Sequence, residues 1–444
     1  MNAPDNLPDN LPDDLSKDRS NDSWGNTRMT IDRRALLGAT AAAPLLSALP
    51  FASARAQAPN AAANTLKLGV LTDMSGTYRD ISGPGSVAAV RQAVQDSGLA
   101  ARGINVEVIQ ADHQNKPDVG SNLARQWIDR DGVDVIIDVA TSSVALAVNQ
   151  IVREKNKIML NSTGATADLT GPACTPNTIH WTYDTWMLAN STGGAAVRAG
   201  GDTWFFITAD YAFGHALERD TASVVRNAGG RVLGQVRHPF PGTTDFSSFL
   251  LQAQQSRAKV VGLANAGTDT VNSVKQAAEF GLTRRQKVAV LLFPINDVHA
   301  LGLQTAQGLL LTESFYWDLN DRTRAFTNRV KGSMGGNMPG MMHAGCYSAA
   351  LHYLKVAAEM GVAAAKNSGA ETVARMKATP TEDDAFGAGS IREDGRKIHP
   401  SYLFEVKTPA ESRQPWDYYK LVQTTEADKA FRPLAEGGCP LVRT

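Results

Sequence analysis

Residues 133–148 read VDVIIDVATSSVALAV. Val133, Val135, Ile136, Ile137 and Val139 form a β-branched run interrupted only by acids, which reads as a buried strand. An apolar pattern at helical spacing follows it. At the junction stand three small hydroxyl residues, Thr141, Ser142 and Ser143. Two readings of them are open. A hydroxyl there caps a helix by accepting from its free amides. Three hydroxyls beside those amides, at the positive end of a helix dipole, also make a small site for an anion or a carbonyl oxygen.

The same pattern recurs on both sides of this stretch. TLKLGVLTDM, INVEVIQA and KIMLN read as strands and alternate with helical segments such as VAAVRQAVQDSG and PDVGSNLARQWIDRDG. After TPNTIHWTYD a second series begins, with strands TWFFITA, RVLGQV, KVVGLAN and KVAVLLF. Such alternation predicts an α/β protein with parallel sheets covered on both faces. The two series predict two α/β lobes. The later strands QGLLLTESFYW, IHPSYLFEVK and WDYYKLVQTT, with two helical stretches between the first two, return to complete them.

Ligands of doubly wound sheets bind beyond the carboxyl ends of the strands. The strand ends here carry SGTYRDISGPGS (75–86), ATSS, STGATADLT (162–170), DYAFG (210–214), NAGTDT (265–270) and PINDVHA (294–300). Each is ordinary alone, as a polar turn or a packed aromatic pair. Together they bring glycine, hydroxyl, amide and aromatic groups to one place, as a cleft between two lobes requires. GPGSVA (83–88) matches only a degenerate dinucleotide fingerprint. No P-loop, GxSxG elbow, CxxC or HExxH spacing occurs, so no cofactor and no metal are expected.

Lys plus Arg and Asp plus Glu both total 44, a balance that argues against nucleic-acid binding. Beyond residue 60 nothing approaches the ~20 apolar residues of a membrane span. Residues 1–28 are polar, with DNLPDNLPDD, and are expected to be a disordered extension. Residues 29–56 read as an export signal: Arg33 and Arg34 precede a short apolar run and small residues. The arginine pair points to the twin-arginine route, with the general secretory route open, and cleavage is expected near Ala56. Met29 competes with Met1 as the start. Export implies an oxidising compartment. Of three cysteines, Cys174 and Cys439 lie in polar segments and are expected to pair, with Cys346 buried in a helix.

These segments, taken in order, resemble the exported substrate-binding proteins of ABC transporters, of the Leu/Ile/Val-binding type. The carriers are LGVLTDMSG, DHQNKPDVG, VATSSVALAVNQI, NSTGATADLTG, ITADYAFGHALERD, TTDFSSFLLQ, NAGTDTVNSVKQAAEFG and QTAQGLLLTESFYWD, across 65–440. The resemblance implies a type I periplasmic binding fold: two doubly wound parallel-sheet lobes joined by three hinge crossings near Tyr183, Thr312 and Ser390, with a ligand cleft between. It places 65–183 with 313–390 in one lobe, 184–312 with 391–430 in the other, and 431–444 in a tail. It further implies periplasmic location, an inner-membrane ABC permease as partner, a small-molecule ligand and no enzymatic activity; a monomer is expected.

Carried over by position, the ligand-carboxylate hydroxyl falls on Thr141, with Ser142 beside it. The binding turn of the first lobe falls on Thr163, Gly164, Ala165 and Thr166. The second-lobe aromatic falls on Phe213, with Tyr211 close by, and its loop on Asn265 and Ala266. Tyr78 to Ile81 are expected at the first-lobe rim. Amino-acid binders of this family hold the ligand ammonium with acids, and those positions fall near Ile295 and Trp186. A buried ammonium without a carboxylate costs several kcal/mol. With Tyr183, Trp186, Tyr211 and Phe213 nearby, the departure favours an aromatic or other carboxylate-bearing ligand. Asp184, Asp269 and Asp297 keep a branched-chain amino acid open. A ligand sensor for a membrane receptor would share the fold and the signal and stays open as well. So does an exported hydrolase, for which His215 is the candidate base.

Overall fold

The computed structural model describes residues 64–443. The extension over 1–28 and the export signal over 29–56, with cleavage near Ala56, lie outside the described residues. Five strands form the first sheet: β1 (Thr65–Thr72), β2 (Asn105–Asp112), β3 (Val135–Asp138), β4 (Ile158–Asn161) and β5 (Thr178–His180). Their order is β2-β1-β3-β4-β5 and every pair is parallel. The run at 135–138 is central and buried on both faces, which is why it reads as continuous apolar sequence.

The second lobe holds β6 (Thr203–Ala209), β7 (Arg231–His238), β8 (Val260–Ala264) and β9 (Lys287–Val290), ordered β7-β6-β8-β9 and again parallel. β7 lies at the edge and alternates exposed and partly buried residues, whereas β8 is wholly buried. Two small antiparallel sheets complete the molecule. One joins β10 (Leu310–Glu313), β14 (Ser401–Val406) and β15 (Tyr419–Thr425); the other joins β11 (Thr381–Asp383), β12 (Gly387–Ile391) and β13 (Lys397–Ile398). The expected pair IHPSYLFEVK and WDYYKLVQTT is the β14–β15 ladder. Of the positions expected for the crossings, Tyr183 follows β5, Thr312 lies in β10 and Ser390 in β12.

The helix Met341–Met360 is buried almost throughout. It crosses so close to the segment after β5 that a Cβ on Gly345 would lie 1.8 Å from Thr182 Oγ1. Cys174 and Cys439 are bonded, with Cα atoms 5.6 Å apart at a sequence separation of 265, and Cys346 is a buried free thiol. Among the described residues no helix is long and apolar enough to cross a membrane.

Candidate functional site

The first lobe's loops are held by carboxylates. After β1, the Asp73 side chain accepts from the amides of Ser75, Gly76 and Tyr78, at 3.2, 2.6 and 2.8 Å. This wraps the loop that carries Tyr78. Asn115 donates to the same carboxylate at 2.6 Å, and Thr141 donates its hydroxyl to Asn115 Oδ1. After β3, Asp138 and Val139 both have positive φ, 82° and 54°, which turns the chain sharply into the helix Ser142–Glu154. Asp138 accepts the Thr163 hydroxyl, and Tyr183 donates to the Thr163 carbonyl at 2.8 Å.

These groups line a narrow space between the lobes. The first lobe lines it with Tyr78, Ile81, Ala140, Ser142, Thr163 and Ala165, and Tyr183 lies at the crossing after β5. The second lobe contributes Tyr211, Phe213, Ala266 and Leu292. The lobes are closed on each other: Tyr78 and Tyr211 share a hydroxyl–hydroxyl bond, Thr268 donates its amide to the Thr77 carbonyl at 3.2 Å, and Arg219 meets Asp168 at 3.1 Å.

The donors can be counted. Ser142 Oγ accepts from the Thr166 amide at 3.1 Å, which leaves its own proton to donate. The first intrahelical bond runs from Ala145 to Thr141, so the amides of Ser142, Ser143 and Val144 precede it. Burial pushes the phenols of Tyr78, Tyr183 and Tyr211 well up, so all three keep their protons. No lysine, arginine or acid is in the lining. Such a cavity suits an apolar ring or chain ending in oxygen acceptors.

Of the expected site residues, Tyr78, Ser142, Thr163, Ala165, Tyr183, Tyr211, Phe213 and Ala266 line the space. Thr141 does not: it stands at the N-cap position without a side-chain cap bond and donates its hydroxyl to Asn115. Gly164 and Thr166 shape the turn, through Asn161 to the Gly164 carbonyl and Thr166 to Ser142. Trp186 is partly buried beside the crossing, and the Ile295 amide donates to Glu313 at 2.9 Å. Asn265 bonds within its own loop, to Thr270 and Ser273. Leu292 and Ala140 line the space unanticipated, since neither type carries a chemical signal in sequence. His215 pairs with Asp210 at 2.8 Å on the surface, away from the lining.

The nearby acids lie behind the lining. Asp184 faces Arg396 at 3.5 Å and accepts from the Met187 amide. Asp269 is buried, with one carboxylate oxygen 3.9 Å from His238 Nδ1 and without a hydrogen-bond partner, and burial pushes it up to about 7. Asp297 accepts from the Gly267 amide at 3.2 Å, and Glu313 from Ile295 and Tyr419; burial pushes both up to about 8. At neutral pH Asp297 and Glu313 hold their protons when folded and lose them when unfolded. Stability they contribute is therefore lost as pH rises towards 8. His113 and His343, pushed down to about 4 by burial, act in the opposite sense only below their ordinary value of 6.5. Lys397, pushed down to about 8, acts only above that pH. The melting temperature should therefore fall between pH 6.5 and 8, and Glu313→Gln should flatten the fall. A melting temperature that rises across this window would sink the assignment.

Residues 65–413 match the periplasmic binding protein family. A periplasmic binding protein of Burkholderia mallei is 48% identical, with 86% of this chain and 100% of that one covered and a TM-score of 0.82. A branched chain amino acid ABC transporter periplasmic ligand-binding protein of Burkholderia xenovorans LB400 is 39% identical over 85% of this chain and 99% of that one, TM-score 0.74. An ABC transporter solute binding protein of R. palustris, solved in complex with benzoate, shares the fold at 20% identity over 85% of this chain and 100% of that one, TM-score 0.73. No curated protein sequence matches the chain.

Proposed function

We propose that this chain, which belongs to the periplasmic binding protein family, captures an aromatic or other small carboxylate-bearing compound for an ABC importer. The observation that carries the proposal is the lining: the hydroxyls of Ser142 and Thr163 on one side, the rings of Tyr211 and Phe213 on the other, and no acid to meet an ammonium. The ligand carboxylate sits on the Ser142 hydroxyl and the first amides of the helix Ser142–Glu154. The ring lies against Tyr211 and Phe213. The proposal extends to export through the Arg33–Arg34 signal, to a monomeric protein, and to the lobe boundaries that the family resemblance implies.

A second reading, a branched-chain amino acid, draws support from the buried carboxyl of Asp269 and from the relative of Burkholderia xenovorans. Titration calorimetry with benzoate, 4-hydroxybenzoate and leucine separates the two. Heat from the aromatic acids alone supports the first reading; tight leucine binding with none for the acids overturns it. Ser142→Ala should weaken the bound acid roughly 10- to 100-fold, the value of a hydrogen bond to a charged group. An unchanged Kd in that variant would remove Ser142 from the anchor role.

A further inference from the structure

Phe240 follows β7 in the second lobe and does not line the cavity. Its ring stacks on Tyr211, centroids 4.0 Å apart and planes at 15°. The same ring stacks on Tyr78 of the first lobe, at 5.5 Å and 24°. Tyr78 and Tyr211, the rings it holds, both line the cavity and share a hydroxyl bond. Tyr211 and Phe240 are tied within one lobe, because the Asp210 amide donates to the His238 carbonyl at 2.9 Å. Of these two ring stacks, parting the lobes breaks only the one with Tyr78.

We propose that Phe240 is a positioning residue for ligand capture: it fixes the Tyr211 ring and receives the Tyr78 ring on closure, and so sets how readily the lobes shut over the ligand. The inference rests on the cavity being the ligand site. Closure made easier raises apparent affinity by the fraction of closed molecules, without any contact between Phe240 and ligand.

The test uses the full mature chain as wild type, Phe240→Leu and Phe240→Tyr. Hydrogen exchange of the ligand-free proteins reads the cross-lobe contact, and calorimetry with benzoate reads affinity. In Phe240→Leu the amides around Tyr78 and Thr268 should exchange about 5-fold faster, and benzoate should bind about 5-fold more weakly, as loss of one aromatic pair implies. Phe240→Tyr should restore both, and the ligand-free melting temperature should stay within a degree or two. Unchanged exchange at Tyr78 in Phe240→Leu overturns the inference. If wild type fails to bind benzoate while the exchange difference stands, the ligand class falls and the positioning role survives.

Discussion

Gly267→Ala should weaken ligand binding about 100-fold while leaving the chain folded. Gly267 precedes the helix Thr268–Glu279 with φ 62° and ψ −140°, a region open essentially to glycine alone. It also lies against the other lobe: a Cβ there would stand 2.3 Å from the Thr77 carbonyl oxygen and 3.0 Å from Tyr78 Cδ1. Backbone oxygen cannot swing aside as a flexible side chain would. The strain in φ burdens open and closed forms alike, by about 1–3 kcal/mol. The clash burdens the closed form alone. A closure penalty of about 2.8 kcal/mol is a hundredfold in apparent Kd. Titration calorimetry beside thermal unfolding reads the two effects apart. Wild-type affinity in a folded Gly267→Ala protein would mean that the ligand-bound lobes do not meet at Thr77.

Arg396→Met should cost about 3–5 kcal/mol of stability, the usual result of removing one partner from a buried ion pair. Arg396 is wholly buried. Its guanidinium donates to the carbonyls of Tyr183 and Lys397, both at 3.1 Å, meets Asp184 at 3.5 Å and lies 4.5 Å from the Phe431 ring centroid. It therefore joins the first crossing, at Tyr183 and Asp184, to the last, beside β13. The His180 amide reinforces the join by donating to the Gly395 carbonyl at 2.9 Å. Burial lowers the guanidinium to about 10, which still leaves it charged at neutral pH. In Arg396→Met the carboxylate of Asp184 stays buried with only the Met187 amide for company. Adding Asp184→Asn should recover part of the loss, because no unpaired charge then remains. Urea unfolding measures both. A loss under about 1 kcal/mol in the single variant would show that the pair does not hold the hinge.

Both variants act at places where distant segments meet, and that is where reading the chain residue by residue stops. The strands and helices of both lobes were legible because burial on two faces and burial on one stripe leave local periodicities of their own. The place of the cavity was legible too: parallel strands deliver their carboxyl ends to one edge, so Ser142 and Thr163 fall there. Membership of a two-lobed α/β class needed nothing beyond the chain itself, whereas the absence of an acid at Ile295 and Trp186 took its meaning from the family resemblance. The division of labour among the hydroxyls did not follow. Thr141 and Ser142 are neighbours of like chemistry, yet one spends its proton on Asn115, 26 residues earlier, and the other faces the cavity. The positive φ at Asp138 and Val139 decides which side chain points inward. Phe240 was not among the strand ends singled out in the sequence, and only the closing of one lobe on the other brings it against Tyr78. Periodicity is local and survives in the sequence; hydrogen-bond partners and ring stacks depend on the path of the whole backbone, which tertiary packing alone determines.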